Sequence, residues 1–250
     1  MNRNLSFKER LHNALAVHEI ENVKGMHGYT HACGRGAREW STIWNRSKDA
    51  TWAHGFGRMV GFEEIWYDSV VGVDILQYQQ YGELVKMYPE IAGMDPLAVG
   101  SGSLHTLASE VIEIADDGKS ARTFFLTPGP QIGIIHRSGH RVAELLWERY
   151  GSDFVYEDGQ WKYFHEQVCP DVFSAYDTAN WAHDRYYDEI NGVPMRDGGG
   201  ILPPLTEPGT RHNDYTSSQP VQNTVPWPVP YQTLDDDNSY APGYNNPNHF

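Results

Sequence analysis

Hydrophobic and polar positions change period about one hundred residues into the chain. From Ser6 to about Gly34 the apolar and imidazole positions Leu11, Leu15, Ile20, Val23 and His27 recur at helical spacing. Ser6 with Glu9 three residues later forms a capping-box signature. Gly25 and Gly28 each cost about 1 kcal/mol of helix propensity against Ala, which predicts close approach of another backbone. A short second helix is expected over Ala37–Trp44 and a short strand over Ala50–His54. A third helix opens at Gly61-Phe62-Glu63-Glu64-Ile65 and reaches about Val71. A fourth covers Ile75–Met87 and ends before Pro89, and Tyr88–Ser103 reads as a loop.

After Ser103 the period becomes two. Leu104–Ala115 reads as a strand, closed by the hairpin signal Asp116-Asp117-Gly118-Lys119. Its partner, Ala121–Leu126, is expected to end at Pro128-Gly129-Pro130, with Gln131–Arg137 continuing the sheet. A long strand over His140–Tyr150 and Phe154–Tyr156, broken at Gly151, leads to a second tight turn at Glu157-Asp158-Gly159-Gln160. Trp161–Val168 returns antiparallel, and Asp171–Tyr187 reads as one or two helical turns. Helices first and hairpin-linked strands afterwards define an α+β chain with helices on one face of a curved antiparallel sheet. Nine of the 15 prolines fall between Pro203 and Pro247. Residues 1–195 therefore form the expected domain and 196–250 an extended arm, which Trp227, Tyr231, Tyr240 and Tyr244 can anchor to a surface.

Composition narrows the function. The formal charge of −14 repels phosphate backbones and anionic membranes, so neither nucleic acid nor membrane is an expected partner. The amino terminus lacks the apolar core of a signal peptide, and Cys33 and Cys169 are too few for a disulfide framework, so a cytoplasmic location is expected. Dinucleotide, phosphate-cradling and nucleophile-elbow motifs are missing, and neither cysteine has a neighbour that marks it as a nucleophile. Asp235-Asp236-Asp237 lacks the rest of a calcium loop. The informative excesses are 12 His, 15 Tyr and 8 Trp.

Lys24, His27 and His31 stand at i, i+3 and i+7 and share one stripe of the first helix, with Tyr29 beside it. Such a stripe can do acid–base work when burial brings its pKa values toward neutrality. It lacks the Glu of a His-Glu-x-x-His zinc helix, so no metal is expected. Alternation places His105, Leu107, Ser109 and Val111 on one face of their strand and Glu110 on the other. Trp161, Tyr163, His165 and Gln167 share a face of the last strand. Trp44, His54, Tyr67, His136 and Arg137 complete the substrate-binding candidates.

The helical order, the Gly61-Phe62-Glu63-Glu64-Ile65 helix, the Asp116-Asp117-Gly118-Lys119-Ser120-Ala121 hairpin and Gly159-Gln160-Trp161-Lys162 resemble the SnoaL-like branch of the nuclear transport factor 2-like superfamily over roughly residues 6–180. That resemblance implies a cone-shaped barrel of curved sheet around a long first helix. The first helix and the strand face carrying Trp161 would look into the cone, making Tyr163, His165 and His105 cavity residues. Length, tail and aromatic richness also resemble the cofactorless diarylpropane lyase group, which implies an enzyme that releases formaldehyde from an aromatic dimer through a quinone methide. A dehydratase or double-bond isomerase, and a non-catalytic binding or oligomerisation module, are the other expectations. The arm suggests a homodimer or homotrimer with the arm at the interface.

Overall fold

The computed structural model describes residues 5–34, 36–54, 57–99, 102–134, 141–175, 207–208, 225–235 and 237–241. The first helix, α1, spans Phe7–Ala32. Its start is closed by the expected capping box: Glu9 N donates to Ser6 Oγ at 3.3 Å and Ser6 N to Glu9 Oε2 at 2.7 Å. Ala16, Ile20, Lys24, His27 and Thr30 form its buried stripe. A Cβ on Gly28 would sit 3.5 Å from His105 O, so a neighbouring backbone does approach there, whereas Gly25 has nothing within 4 Å.

Helix α2 (Gly36–Ile43) packs on α1, and strands β1 (Thr51–His54) and β2 (Gly57–Val60) follow. Helix α3 (Phe62–Trp66) runs through a π-helical segment, Tyr67–Gly72, directly into α4 (Val73–Met87). The expected gap between two helices is thus a widened turn. None of these helices is long and apolar enough to cross a membrane.

The sheet contains β3 (Gly102–Ser103), β4 (Ala108–Ile114), β5 (Ser120–Ile134), β6 (Arg141–Glu157), β7 (Gln160–Ala175) and β8 (Glu207–Pro208). Its order is β3-β5-β6-β7-β1-β2-β8, with β4 also paired to β5. The architecture is α+β, with the long amino-terminal helix laid across a curved sheet that does not close among the described residues. Most neighbours are antiparallel, but β1 pairs β7 in parallel, Thr51 opposite His165, so the sheet is mixed. The turn between β6 and β7 uses Asp158 at φ 53° and Gly159 at φ 79°, the two positive φ values that a tight hairpin needs.

Several expected boundaries shift for identifiable reasons. Strand β5 runs straight through Pro128-Gly129-Pro130. Pro130 O accepts from Leu104 N at 3.0 Å, so its ring nitrogen also faces the edge occupied by β3 and β4. The missing proline donors therefore cost no bond to β6. A Cβ on Gly129 would lie 2.0 Å from Leu104 O, which is why glycine separates the prolines. Strand β4 begins at Ala108 instead of Leu104, and β7 continues to Ala175, where helical turns were expected. Residues 135–140 and 176–206 lie outside the described residues, as does the rest of the arm beyond 207–208, 225–235 and 237–241.

Gly151 is not a break. Strand β6 passes through it, paired with Phe124 and Gln167, and the missing side chain makes room for the carboxy-terminal arm. A Cβ there would lie 2.6 Å from the Tyr240 ring and 2.7 Å from Val225 Cγ1. The arm covers the sheet face opposite α1: Val225 and Tyr240 are fully buried, and Tyr231 is 8% exposed. Trp227, an expected anchor, is instead 67% exposed, and Tyr244 lies outside the described residues. The other face holds an aromatic core in which Trp40 stacks on Trp44 and Trp44 on Tyr163, at centroid distances of 4.2 and 5.3 Å, with Phe154 tilted against Tyr163 at 4.3 Å. We expect Gly151→Ala to cost about 1–3 kcal/mol by overpacking the Tyr240 seat and to expose the arm to protease. Urea denaturation and limited proteolysis check this, and unchanged stability would mean the seat is not occupied.

Candidate active site

The α1 stripe faces the sheet and brings its charges into the interior. Lys24 is fully buried, and its Nζ lies 3.1 Å from Glu110 Oε2 and 4.0 Å above the Phe125 ring. His27 is 5% exposed, and its Nδ1 pairs with Glu39 Oε1, a buried carboxylate of α2. The second Glu39 oxygen accepts from Thr30 Oγ1 at 3.0 Å. His27 lies tilted against Tyr163 and edge-on to Tyr150, at 5.6 and 6.4 Å between centroids, and stacks on His31 at 5.7 Å. His31 lies 4.7 Å from His105. Tyr150 Oη donates to Glu148 Oε2 at 2.9 Å, and His105 Nδ1 is 3.8 Å from the same oxygen.

Two bulges decide who joins this cluster. Between Ala108 and Val111 the β4–β5 register slips by one residue, with Ser109 at φ 55°. Because side chains alternate, one extra residue exchanges the faces. His105 and Glu110, expected on opposite faces, both turn toward α1. The second bulge sits at Phe164, between the pairs Phe154–Tyr163 and Asp153–His165. Tyr163 stays on the α1 side, but His165 and Gln167 change faces, which corrects the expectation that they share the face of Trp161. His165 instead bonds Asp153 Oδ2 at 2.9 Å beneath the arm, where Tyr240 N donates to the same oxygen at 2.7 Å. Glu166 takes the inner place, accepting from Ser152 Oγ at 3.2 Å.

Of the remaining candidates, Trp44 is buried in the aromatic stack. Tyr29 is 64% exposed and does not reach the cluster. Tyr67 lines a separate groove of about 300 Å³ with Arg46, Phe62, Glu63 and Trp66. His54 is placed in β1 by its backbone, and His136 and Arg137 lie outside the described residues. The carboxylates Glu39, Glu110, Glu148 and Glu166 and the phenol of Tyr150 were not among the sequence candidates. Glu148 had a signal: it stands between Leu146 and Tyr150 on the apolar phase of its strand. Glu39 had one too, beside Trp40 and Ile43 on a helix face otherwise made for burial.

Electrostatics follow from crowding these groups away from water. Burial pulls the His27 pKa down, but the charges of Glu39 and Glu166 outweigh it and raise it from 6.5 to about 9. Burial lowers Lys24 from 10.5 to about 8 against the pull of Glu110, Glu166 and Glu21. Burial raises Glu148 and Glu166 from 4.5 to about 7. It also lifts Tyr150 and Tyr163 well above the ordinary phenol value. His31 keeps an exposed edge, and burial of the rest of its ring, with His105 beside it, holds it below an ordinary imidazole. Near neutral pH the cluster thus offers a cationic imidazole, an ammonium and two carboxyls close to their midpoints. Among the described residues no three His, Cys, Asp or Glu side chains gather to hold a metal ion.

No protein-family model matches the sequence, and no curated protein matches it. Solved structures do show likeness. A candidate scytalone dehydratase from Novosphingobium aromaticivorans is 15% identical, covering 67% of this chain and 91% of its own, with a TM-score of 0.45. A nuclear transport factor 2-like superfamily protein from Salmonella enterica is 12% identical over 63% of this chain and 92% of its own, TM-score 0.45. LinA is 15% identical over 69% of this chain and 95% of its own, TM-score 0.43. At these identities and scores, any chemistry has to be argued from this chain's own residues.

Removing Glu39 leaves His27 buried without its partner. Glu39→Ala is expected to cost about 3–5 kcal/mol, and in Glu39→Gln the His27 pKa, followed by imidazole NMR titration, should fall from about 9 toward or below 6.5. The pH dependence has a definite sign. A folded-state pKa raised above its unfolded value contributes stability that is lost as pH rises through it. Glu148 and Glu166 place that loss between 4.5 and 7, and His27 extends it from 6.5 to 9. Lys24 acts oppositely, adding stability between 8 and 10.5, and the lowered His31 offsets part of the carboxyl loss below 6.5. Denaturant titrations should therefore show stability falling from mildly acidic to mildly alkaline pH, with a flatter upper limb in Glu39→Gln.

Proposed function

We propose that this chain is a lyase acting on a small aromatic alcohol of the diarylpropane type by acid–base catalysis, and that it belongs to the SnoaL-like branch of the nuclear transport factor 2-like superfamily. One observation carries the catalytic reading. His27 is clamped through Nδ1 by Glu39, and no group among the described residues bonds its Nε2, which leaves a cationic donor free for a ligand beside a buried ammonium. An imidazole oriented by a carboxylate is the arrangement that general acid–base catalysis requires. Phe125, Tyr150 and Tyr163 surround these charges with aromatic surface, a composition that suits an aromatic substrate.

The chemistry closes on these residues. Lys24 holds the substrate's para-phenol oxygen as phenolate. The His27 imidazolium gives its Nε2 proton to the benzylic hydroxyl, which leaves as water, and the phenolate electrons form a quinone methide. The terminal hydroxyl then returns a proton to the neutral His27, its carbon–carbon bond breaks, and formaldehyde departs. That electron pair restores the phenolate and leaves a stilbene. No electron is gained or lost overall, so proton transfers, worth about 10²–10⁴-fold each, suffice.

Incubating chelator-treated protein with para-phenolic 1,2-diarylpropane-1,3-diols should yield formaldehyde and a stilbene absorption. Silence across such a panel removes the lyase reading, and water loss without formaldehyde turns it into a dehydratase. With an active substrate, His27→Ala should lower kcat about 10²–10⁴-fold while isothermal titration shows ligand binding retained.

A further inference from the structure

Lysines are almost never fully buried unless paired, and Lys24 is fully buried on the stripe that faces the candidate site. Its Nζ lies over the ring of Phe125. On the same face of β5, two residues to either side, Thr123 and Thr127 carry buried hydroxyls that have no hydrogen-bond partner among the described residues. Tyr163 Oη and one Glu166 oxygen are in the same condition. Its ion-pair partner Glu110, 3.1 Å away, has a side chain 26% exposed, so the pair reaches solvent through the carboxylate. The charged groups acting on it are Glu110 from β4, Glu166 from β7, and Glu21 and His27 from α1 itself. Burial outweighs the three carboxylates and brings the amine to about 8, which multiplies the neutral fraction at neutral pH by roughly two orders of magnitude over an ordinary lysine. A desolvated lysine of this kind is suited to nucleophilic attack on carbonyls.

We propose that Lys24 captures a small aldehyde as an imine where α1 lies against the inner face of the sheet. Glu110 takes the ammonium proton. The free amine adds to the carbonyl carbon, forming a carbon–nitrogen bond, and the carbonyl electron pair moves to oxygen; the cationic nitrogen then releases one proton and the oxygen takes one up, giving a neutral carbinolamine. The carbon–oxygen bond then breaks with a second proton, water leaves, and the nitrogen lone pair closes the carbon–nitrogen double bond as nitrogen loses its remaining hydrogen. The sum is amine plus aldehyde to imine plus water. Thr123, Thr127 and Tyr163 supply the hydroxyls that a carbinolamine oxygen would need. This capture takes place at the lysine that holds the phenolate in the proposed lyase, and so shares that site, but it needs no proton transfer by His27.

The test is reductive trapping on the full chain at neutral pH, with benzaldehyde in one arm and formaldehyde in the other. Borohydride then converts any imine into a stable secondary amine, and peptide mass spectrometry locates it. Lys8, Lys48, Lys86, Lys119 and Lys162 are internal controls, four of them exposed and Lys162 partly so. The expected result is an N-benzyl or N-methyl group on Lys24 at about tenfold or greater occupancy than on any control, in keeping with its larger neutral fraction. Modification of the controls with Lys24 untouched overturns the proposal. So does a Lys24→Arg variant with unchanged circular dichroism that takes up as much label as the parent. Assaying the same samples on the diol panel separates the two ideas: trapping without turnover defeats the lyase alone, and turnover without trapping defeats the imine alone.

Discussion

Carrying an ammonium and an imidazolium on the buried face of one helix is the constraint from which the rest of the arrangement follows. A buried charge without a partner costs several kcal/mol, so α1 can lie on the sheet only if carboxylates come to Lys24 and His27. Among the described residues outside α1, four do, each from a different element: Glu39 from α2, Glu110 from β4, Glu148 from β6 and Glu166 from β7. The contacts that neutralise α1 also fix α2 against it, through Thr30 and Glu39. They set the protonation states on which the proposed chemistry depends.

Supplying those carboxylates required breaking the regularity of the sheet. A strand with perfect alternation could not place both His105 and Glu110, or both Tyr163 and Glu166, toward the same helix. Bulges at Ser109 and Phe164 each insert one residue and change the phase. The same displacement at Phe164 sends His165 to the opposite face. There it joins Asp153, which holds the arm through Tyr240 N while Arg122 lies 4.4 Å from the Tyr240 ring. One bulge therefore serves both faces, a carboxylate for the interior and an anchor for the arm.

The arm changes what the sheet face opposite α1 can be. Phe124 and Cys169 would form an exposed apolar patch, and Val225 and Tyr240 cover it. Gly151 lets them approach, since any side chain there would occupy the Tyr240 ring position. In sequence the same glycine reads as a strand break, because its cost in a strand is visible locally and its compensation lies ninety residues away.

Local chemistry was legible where the determining contacts are local. The capping box of Ser6 and Glu9, both hairpin turns, the α1 stripe of Lys24 and His27, and the order of helices before strands all follow from propensity and period. The strand carrying Trp161 and Tyr163 follows the same way. Tyr29 stands on the exposed side of α1, and an aromatic beside a stripe carries no information about which side of the helix is covered. What only the tertiary structure decided is the phase of β4 and β7, and with it the membership of Glu110, Glu166 and His165. A strand's own residues alternate equally well in either phase. Only the energy of pairing with β5 and β6, together with the charge on α1, chooses between them.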